Sequence, residues 1–242
     1  MSQPKPDNDK NPYQSLAEKH SLQIDFRPFI HVEGVDKAEF RAQRIDLSQF
    51  TAIIMTSKTA IDHYFRIAAE CRFEVPTTMK FFCISEAVAY YLQKYVTYRK
   101  RKIFFGKQTI SDLVESLKKN KKEKYLLPCS DILRDSIPET LDNNEIDYTK
   151  SILYRTVASD LSDLENVYYD MLVFFSPSGI ESLFKNFPDF KQHNTLIAAF
   201  GPTTAKAVIE HNLRLDVHAP QPQSPSMTMA IENYVKDHKK RR

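Results

Sequence analysis

The chain repeats itself. Ile53 to Phe65 reads IIMTSKTAIDHYF, and VFFSPSGIESLF begins 120 positions later at Val173; Phe81 to Leu92 reads FFCISEAVAYYL, and IAAFGPTTAKAV begins 116 positions later at Ile197. Two separate matches agree on the spacing to within four positions, and a third, Thr109–Leu117 with Pro225–Tyr234, falls near it, which describes a duplicated structural unit. Each copy joins a short apolar run, a turn bearing hydroxyls or glycine, and an amphipathic stretch. That is the pattern of a strand handing over to a helix in parallel α/β units. The predicted fold class is α/β, with two similar lobes of parallel sheet flanked by helices, joined by a two-stranded linker.

In the first copy the expected strands are Thr51–Met55, Lys80–Ile84, Lys102–Phe105 and Lys124–Leu127, the last ended by Pro128. The helices that follow are expected over Thr59–Glu70, Glu86–Tyr95, Ser111–Lys118 with Ser111 as N-cap, and about Leu133–Leu141. In the second copy Met171–Phe175 and Leu196–Phe200 are the apolar runs. The fourth unit of the first copy has no counterpart after Tyr234, so its partner is sought at the front, where Met1-Ser2-Gln3-Pro4 leads to a helical stretch at Tyr13–His20. One lobe is then contiguous, residues 32–157. The other is discontinuous, residues 1–31 with 158–242, and carries the Ser176-Pro177-Ser178-Gly179 and Gly201-Pro202-Thr203-Thr204 loops. Extended segments at about 25–32 and 150–157 are the expected crossings, with a small-molecule site expected in a cleft between the lobes.

Composition excludes several classes. With 242 residues, 42% of them hydrophobic and 27% charged, the chain can bury a substantial core. No apolar stretch approaches the roughly 20 residues of a membrane span, and the first dozen residues lack the apolar segment of a secretory signal. A cytoplasmic protein with no membrane partner is expected. The three cysteines, Cys71, Cys83 and Cys129, are odd in number and without CxxC spacing, so they read as buried thiols, with no metal site expected. The net charge of +3 is small. Basic clusters at Arg99–Lys102, Lys118–Lys124 and Lys239–Arg242 read as solvated surface ahead of a nucleic-acid footprint, and no nucleic-acid partner is expected.

The chain has four glycines, and Gly179 and Gly201 both fall where a strand hands over to a helix. There, backbone N–H groups at a helix N-terminus cradle anions, and Ser and Thr hydroxyls add donors. Any one of these hydroxyls reads equally well as an N-cap serving only its own helix. The set together suits a ligand with several carboxylates or phosphates.

Five segments carry a family resemblance: FFSPSG at Phe174–Gly179, AAFGPTTAKAV at Ala198–Val208, APQPQSPSMTMAI at Ala219–Ile231, LPCSDILRDSIPETL at Leu127–Leu141 and LYRT at Leu153–Thr156. Over most of its length the sequence resembles the uroporphyrinogen-III synthase family. The resemblance implies a monomeric lyase that takes hydroxymethylbilane, a linear tetrapyrrole with acetate and propionate arms. The substrate loses water and closes with its last pyrrole ring inverted, without metal or organic cofactor. Because that substrate is already reactive, the work is conformational and no single essential catalytic residue is expected. The carboxylate arms are assigned to Ser176, Ser178, Gly179, Gly201, Thr203, Thr204 and Ser226 in one lobe, and to Thr56, Ser57, Lys58 and Ser85 in the other. Lys58 and Arg134 are the cationic candidates, and Arg155 reads as a brace on the crossing segment.

The sequence also departs from the family pattern. Ser182 stands where some members carry a tyrosine, and the first-lobe loop reads Ile84-Ser85-Glu86-Ala87-Val88, placing an acid where relatives have Gly-x-x-Thr-Ala. A relative that binds a tetrapyrrole or another polyanion without closing it is therefore the alternative.

Overall fold

The computed structural model describes residues 1–6, 11–133 and 135–239. In chain order the first elements are α1 (Pro12–His20), β1 (Ile30–Gly34), α2 (Lys37–Ala42), β2 (Ala52–Met55), α3 (Lys58–Glu70), β3 (Lys80–Cys83), α4 (Glu86–Leu92) and β4 (Ile103–Phe105). They are followed by α5 (Val114–Lys119), β5 (Tyr125–Ser130), α6 (Ser136–Asn143), β6 (Tyr148–Ala158), β7 (Met171–Phe174), α7 (Pro177–Asn186), β8 (Leu196–Phe200), α8 (Pro202–Glu210), β9 (Val217–Ala219) and α9 (Met227–Lys239). The chain divides into two compact units, residues 32–156 and residues 1–31 with 157–242. Val157 therefore goes with the discontinuous unit.

The contiguous unit is built on a six-stranded sheet in the order β1-β6-β5-β2-β3-β4. β2 pairs in parallel with β3 (Ile53 beside Phe81) and with β5 (Ile53 beside Leu126). Every residue of β2 is fully buried because helices cover both faces, which is why the segment reads as an unbroken apolar run. One face, with Ile53, Met55, Phe81 and Cys83, packs on Ile61, Tyr64 and Ala68 of α3 and Leu92 of α4. The opposite face, with Ala52, Ile54, Phe82 and Leu127, packs on Leu113, Leu117 and Leu141.

Two local expectations fail here for identifiable reasons. Pro128 does not end β5, which continues through Cys129 to Ser130 paired with β6. Pairing with β2 stops at Leu126, so a proline without an N–H falls where no ladder bond is asked of it on that side. Ser111 is not a helix cap; it lies inside a short 3-10 turn, Ile110–Leu113, entered from Thr109. The Asp112 carboxylate accepts from the N–H groups of Gln108 and Thr109 (3.0 and 2.8 Å) and from the Thr109 hydroxyl (2.9 Å). These bonds hold its carboxyl down at about 2. In addition, α4 stops at Leu92, short of Tyr95, and unwinds through single turns at Gln93, Lys94 and Tyr95.

The discontinuous unit carries the parallel sheet β7-β8-β9, with Val173 beside Ala198 and Ala198 beside Val217. Beyond β7 the series continues in extended chain. Ser2 N–H donates to the Val173 carbonyl (2.9 Å), Arg27 N–H to Met1 (2.9 Å), Phe29 N–H to Ser2 (3.4 Å) and Ser159 N–H to Phe29 (2.8 Å). Residues 1–2 thus stand beside β7 as β5 stands beside β2. Helix α1 starts on Asn11, whose side chain accepts from Tyr13 N–H, and carries Pro12 in its first turn. Its Tyr13 and Leu16 pack with Met227, Ala230 and Ile231 of α9, and Lys19 pairs with Glu232 at 2.7 Å. On the other face Phe29, Phe174, Ile180, Leu183, Ile197 and Val208 form a second core layer.

Candidate functional site

β2, β3, β7 and β8 each hand over to a helix within three residues. The carboxyl ends of such strands are where open α/β sheets bind ligands. In the discontinuous unit the Ser176 hydroxyl accepts from Gly179 N–H at 3.3 Å, capping α7. Gly179 is buried and its N–H is already used; Ser178 is half-buried. The Ser226 hydroxyl accepts from Met229 N–H at 3.2 Å and lies 3.0 Å from the Thr228 hydroxyl.

α8 starts differently. Gly201 occupies the cap position at φ 89° and ψ 152°, and no side chain among the described residues caps the helix. Pro202 has no N–H to offer, so the first-turn donors are those of Thr203, which is exposed, and Thr204, which is buried. A Cβ placed on Gly201 would meet nothing within 4 Å, so glycine is required by the backbone angle and not by crowding. Beside this opening, Phe175 and the exposed Phe200 bring their rings within 6.2 Å. Sequence reading missed both residues as surface features, because each closes an apolar run and looks like core.

In the contiguous unit Ser57 caps α3, accepting from Ala60 N–H at 3.0 Å. Ser85 caps α4, accepting from Val88 N–H at 3.4 Å. Thr56 is half-buried, while Lys58 is exposed with its ammonium 5.4 Å from the centre of the Tyr91 ring. Tyr154, expected only as part of a crossing segment, brings its hydroxyl to 3.3 Å from Ser57. Burial raises that phenol, with the Ser57 contact opposing, so it stays protonated. His63 stacks on the Tyr154 ring at 5.1 Å. Glu86 is exposed at the start of α4. Arg155 pairs with Glu39 of α2 at 2.8 Å. Arg134 and the tail residues 240–242 lie outside the described residues.

The two units therefore place a hydroxyl residue or glycine at corresponding helix starts: Ser57 and Ser176, Ser85 and Gly201, Thr109 and Ser226, separated by 119, 116 and 117 positions. The family model described as uroporphyrinogen-III synthase HemD matches residues 11–229. The chain belongs to the uroporphyrinogen-III synthase family.

Among its relatives, the uroporphyrinogen-III synthase of Saccharomyces cerevisiae is 28% identical over 139 residues, 52% of this chain and 50% of that protein. The match spans about half the length of that curated relative. Among solved structures, the uroporphyrinogen-III synthetase of Helicobacter pylori 26695 superposes with a TM-score of 0.59 at 18% identity, covering 90% of this chain and 96% of the other. A mutant uroporphyrinogen III synthase from the extremely thermophilic bacterium Thermus thermophilus superposes at 0.53 with 15% identity, covering 94% of each. At these identities the structural likeness concerns the fold.

Against the family pattern, Ser182 has a structural position. It is fully buried, its hydroxyl donates to the Phe29 carbonyl, and Asn186 bonds the Ser182 carbonyl at 2.9 Å. Two concavities, one in each unit, lie away from the strand-end loops. One of about 600 Å³ is lined by Tyr13, Ile24, Arg27 and Tyr169, and one of about 820 Å³ by Gln49, Lys118, Lys124 and Tyr148. The second sits where β5 and β6 begin, at the opposite end of the strands from Ser57.

Proposed function

We propose that the chain is a uroporphyrinogen-III synthase, closing hydroxymethylbilane to uroporphyrinogen III with loss of water and inversion of the last pyrrole ring. The family match over residues 11–229 supports it. The observation that carries it is the uncapped start of α8, where Gly201 leaves the Thr203 and Thr204 N–H groups without a side-chain acceptor among the described residues. Fixed amide donors of this kind hold carboxylate arms without having to reorganise. For a substrate that closes by itself, the catalytic gain comes from holding the terminal rings in the geometry of the inverted product.

In this reading the exposed Thr203 adds its hydroxyl to the α8 start, while Thr204 is buried, and Phe175 and Phe200 offer an apolar surface to a pyrrole face. Ser176, Ser178, Gly179 and Ser226 form the flanking loops. In the contiguous unit Thr56, Ser57, Lys58 and Ser85 take further arms, and the protonated Tyr154 hydroxyl lies beside Ser57. The proposal includes a monomer working in the cytoplasm; the three cysteines are free, which suits a reducing compartment. Among the described residues no helix is long and apolar enough to cross a membrane.

The test generates hydroxymethylbilane in place with the protein present, then oxidises and separates the products. The expected result is a shift from isomer I to isomer III. An isomer ratio equal to that of the protein-free reaction overturns the proposal.

A further inference from the structure

Lys58 is the first residue of α3, and Asp62 lies one turn further on, at the spacing from which a lysine and an aspartate can pair. Among the described residues no such pair forms, and the Asp62 carboxylate has other partners. The Tyr91 hydroxyl donates to it, 2.9 Å from each oxygen, the Tyr95 hydroxyl donates at 2.6 Å, and the Lys94 ammonium stands 3.6 Å away. Burial by itself would raise the Asp62 carboxyl, but the bonds from Tyr95 and Tyr91 and the charge of Lys94 outweigh it and hold the group below its ordinary value. Tyr95 is itself held by stacking on Phe65, 4.4 Å between ring centres and 4° from coplanar.

The Tyr91 ring meanwhile lies 5.4 Å from the Lys58 ammonium, within the range in which a cation is attracted to an aromatic face. Lys94 lies 5.5 Å from the same ring. One side chain therefore acts twice: its hydroxyl keeps Asp62 from Lys58, and its ring steadies the ammonium that is left over. Lys58 sits three residues past the end of β2, exposed, with Ser57 and Thr56 beside it.

We propose that Tyr91 is a positioning residue for Lys58, holding Asp62 away from its ammonium at the carboxyl end of β2 so that Lys58 takes a carboxylate arm of the linear tetrapyrrole. The identity of that arm's owner rests on the proposed reaction; the preorganisation of Lys58 for a carboxylate does not.

The experiment uses the full chain and two readouts. One is KM for hydroxymethylbilane generated in place; the other is the affinity for uroporphyrin I, an oxidised and unreactive tetrapyrrole carboxylate, followed by fluorescence titration. Lys58→Met is expected to weaken both by about tenfold, the worth of one charge-assisted contact. Tyr91→Phe keeps the ring but removes one of the donors that occupy Asp62, opening it to Lys58, and is expected to weaken both by about threefold. That loss should vanish in the Lys58→Met background, and affinity should be restored when Asp62→Asn is added to Tyr91→Phe. General destabilisation would not be rescued by removing Asp62.

The inference is overturned if Lys58→Met binds like the parent, if Tyr91→Phe costs nothing, or if its cost persists without Lys58. Lys58 is exposed, so its variant folds and is decisive even if a Tyr91 variant does not. A parent that binds uroporphyrin I but leaves the isomer ratio unchanged would remove the proposed reaction while leaving this inference to its binding test. A parent that makes isomer III with Lys58→Met silent would do the reverse.

Discussion

Two glycines that look alike in the sequence should respond to alanine with opposite signs. Gly201 sits at φ 89° and ψ 152°, a region that side-chain-bearing residues avoid at a cost of about 1–3 kcal/mol. A Cβ there would touch nothing within 4 Å, so no packing gain offsets the strain. Gly179 has ordinary helical geometry in the first turn of α7, and its Cβ would meet Phe174 at 3.4 Å, an ordinary van der Waals contact. Both substitutions stiffen the unfolded chain, which favours the fold by about 0.4–1 kcal/mol. The expectation for Gly179→Ala is therefore a gain of about 0.5 kcal/mol, and for Gly201→Ala a net loss of about 1–2 kcal/mol. The unfolded-state contribution cancels in their difference, leaving about 1–3 kcal/mol of backbone strain alone. Both residues belong to the discontinuous unit, so one urea transition reads both. The midpoints should move apart at constant slope. Equal midpoints, or a Gly201→Ala protein as stable as the parent, would refute the assignment of Gly201 to a glycine-only backbone.

Three further outcomes follow from the structure. Asp112 and Glu232 are both held down to about 2 from ordinary values of 3.8 and 4.5, the first by backbone N–H groups and the second by Lys19, Lys236 and His20. A depressed carboxylate stabilises the fold fully above its ordinary value and ceases to do so as pH falls through the folded one. Stability should therefore decline between about pH 4.5 and 2, and Asp112→Asn and Glu232→Gln should each flatten that slope in acid titrations of unfolding. Ser182→Ala should cost about 1 kcal/mol by denaturant unfolding, since the Phe29 carbonyl keeps its Ser159 donor, and leave isomer III formation intact. A variant that folds normally but loses isomer III would move Ser182 into the chemistry. Replacing the exposed Thr203 by valine preserves the α8 amides and removes its hydroxyl; KM should rise several-fold with folding largely intact, and an unchanged KM would assign the binding to the backbone alone.

The parts of the fold legible in the sequence are those set by near neighbours. Ser57, Ser85, Ser176 and Ser226 stand immediately before amphipathic stretches, and each accepts a first-turn N–H. β2 and β8 were readable because two-sided burial leaves no polar position in the run. Pro128 misled because whether a proline breaks a strand depends on which neighbour its nitrogen faces, and that is set by β2, seventy-odd positions earlier. Ser111 misled because the turn is capped two positions earlier, by Thr109 with Asp112. The setting of Lys58 was not legible at all: Tyr91 reaches it across 33 positions, through the packing of α3 on α4. Phe175 and Phe200 were misread because strand ends and strand middles share one composition.

The hydrogen bond from Ser2 to Val173 has a consequence for biosynthesis. A nascent chain emerging from the ribosome exposes residues 1–31 long before their neighbours in β7 exist, whereas residues 32–156 are complete once translated and can collapse at once. For that interval Tyr13, Leu16 and Phe29 are apolar surfaces awaiting cover. Early folding of the contiguous segment shortens the effective tether between the waiting end and the late one, reducing the entropy lost when they finally join.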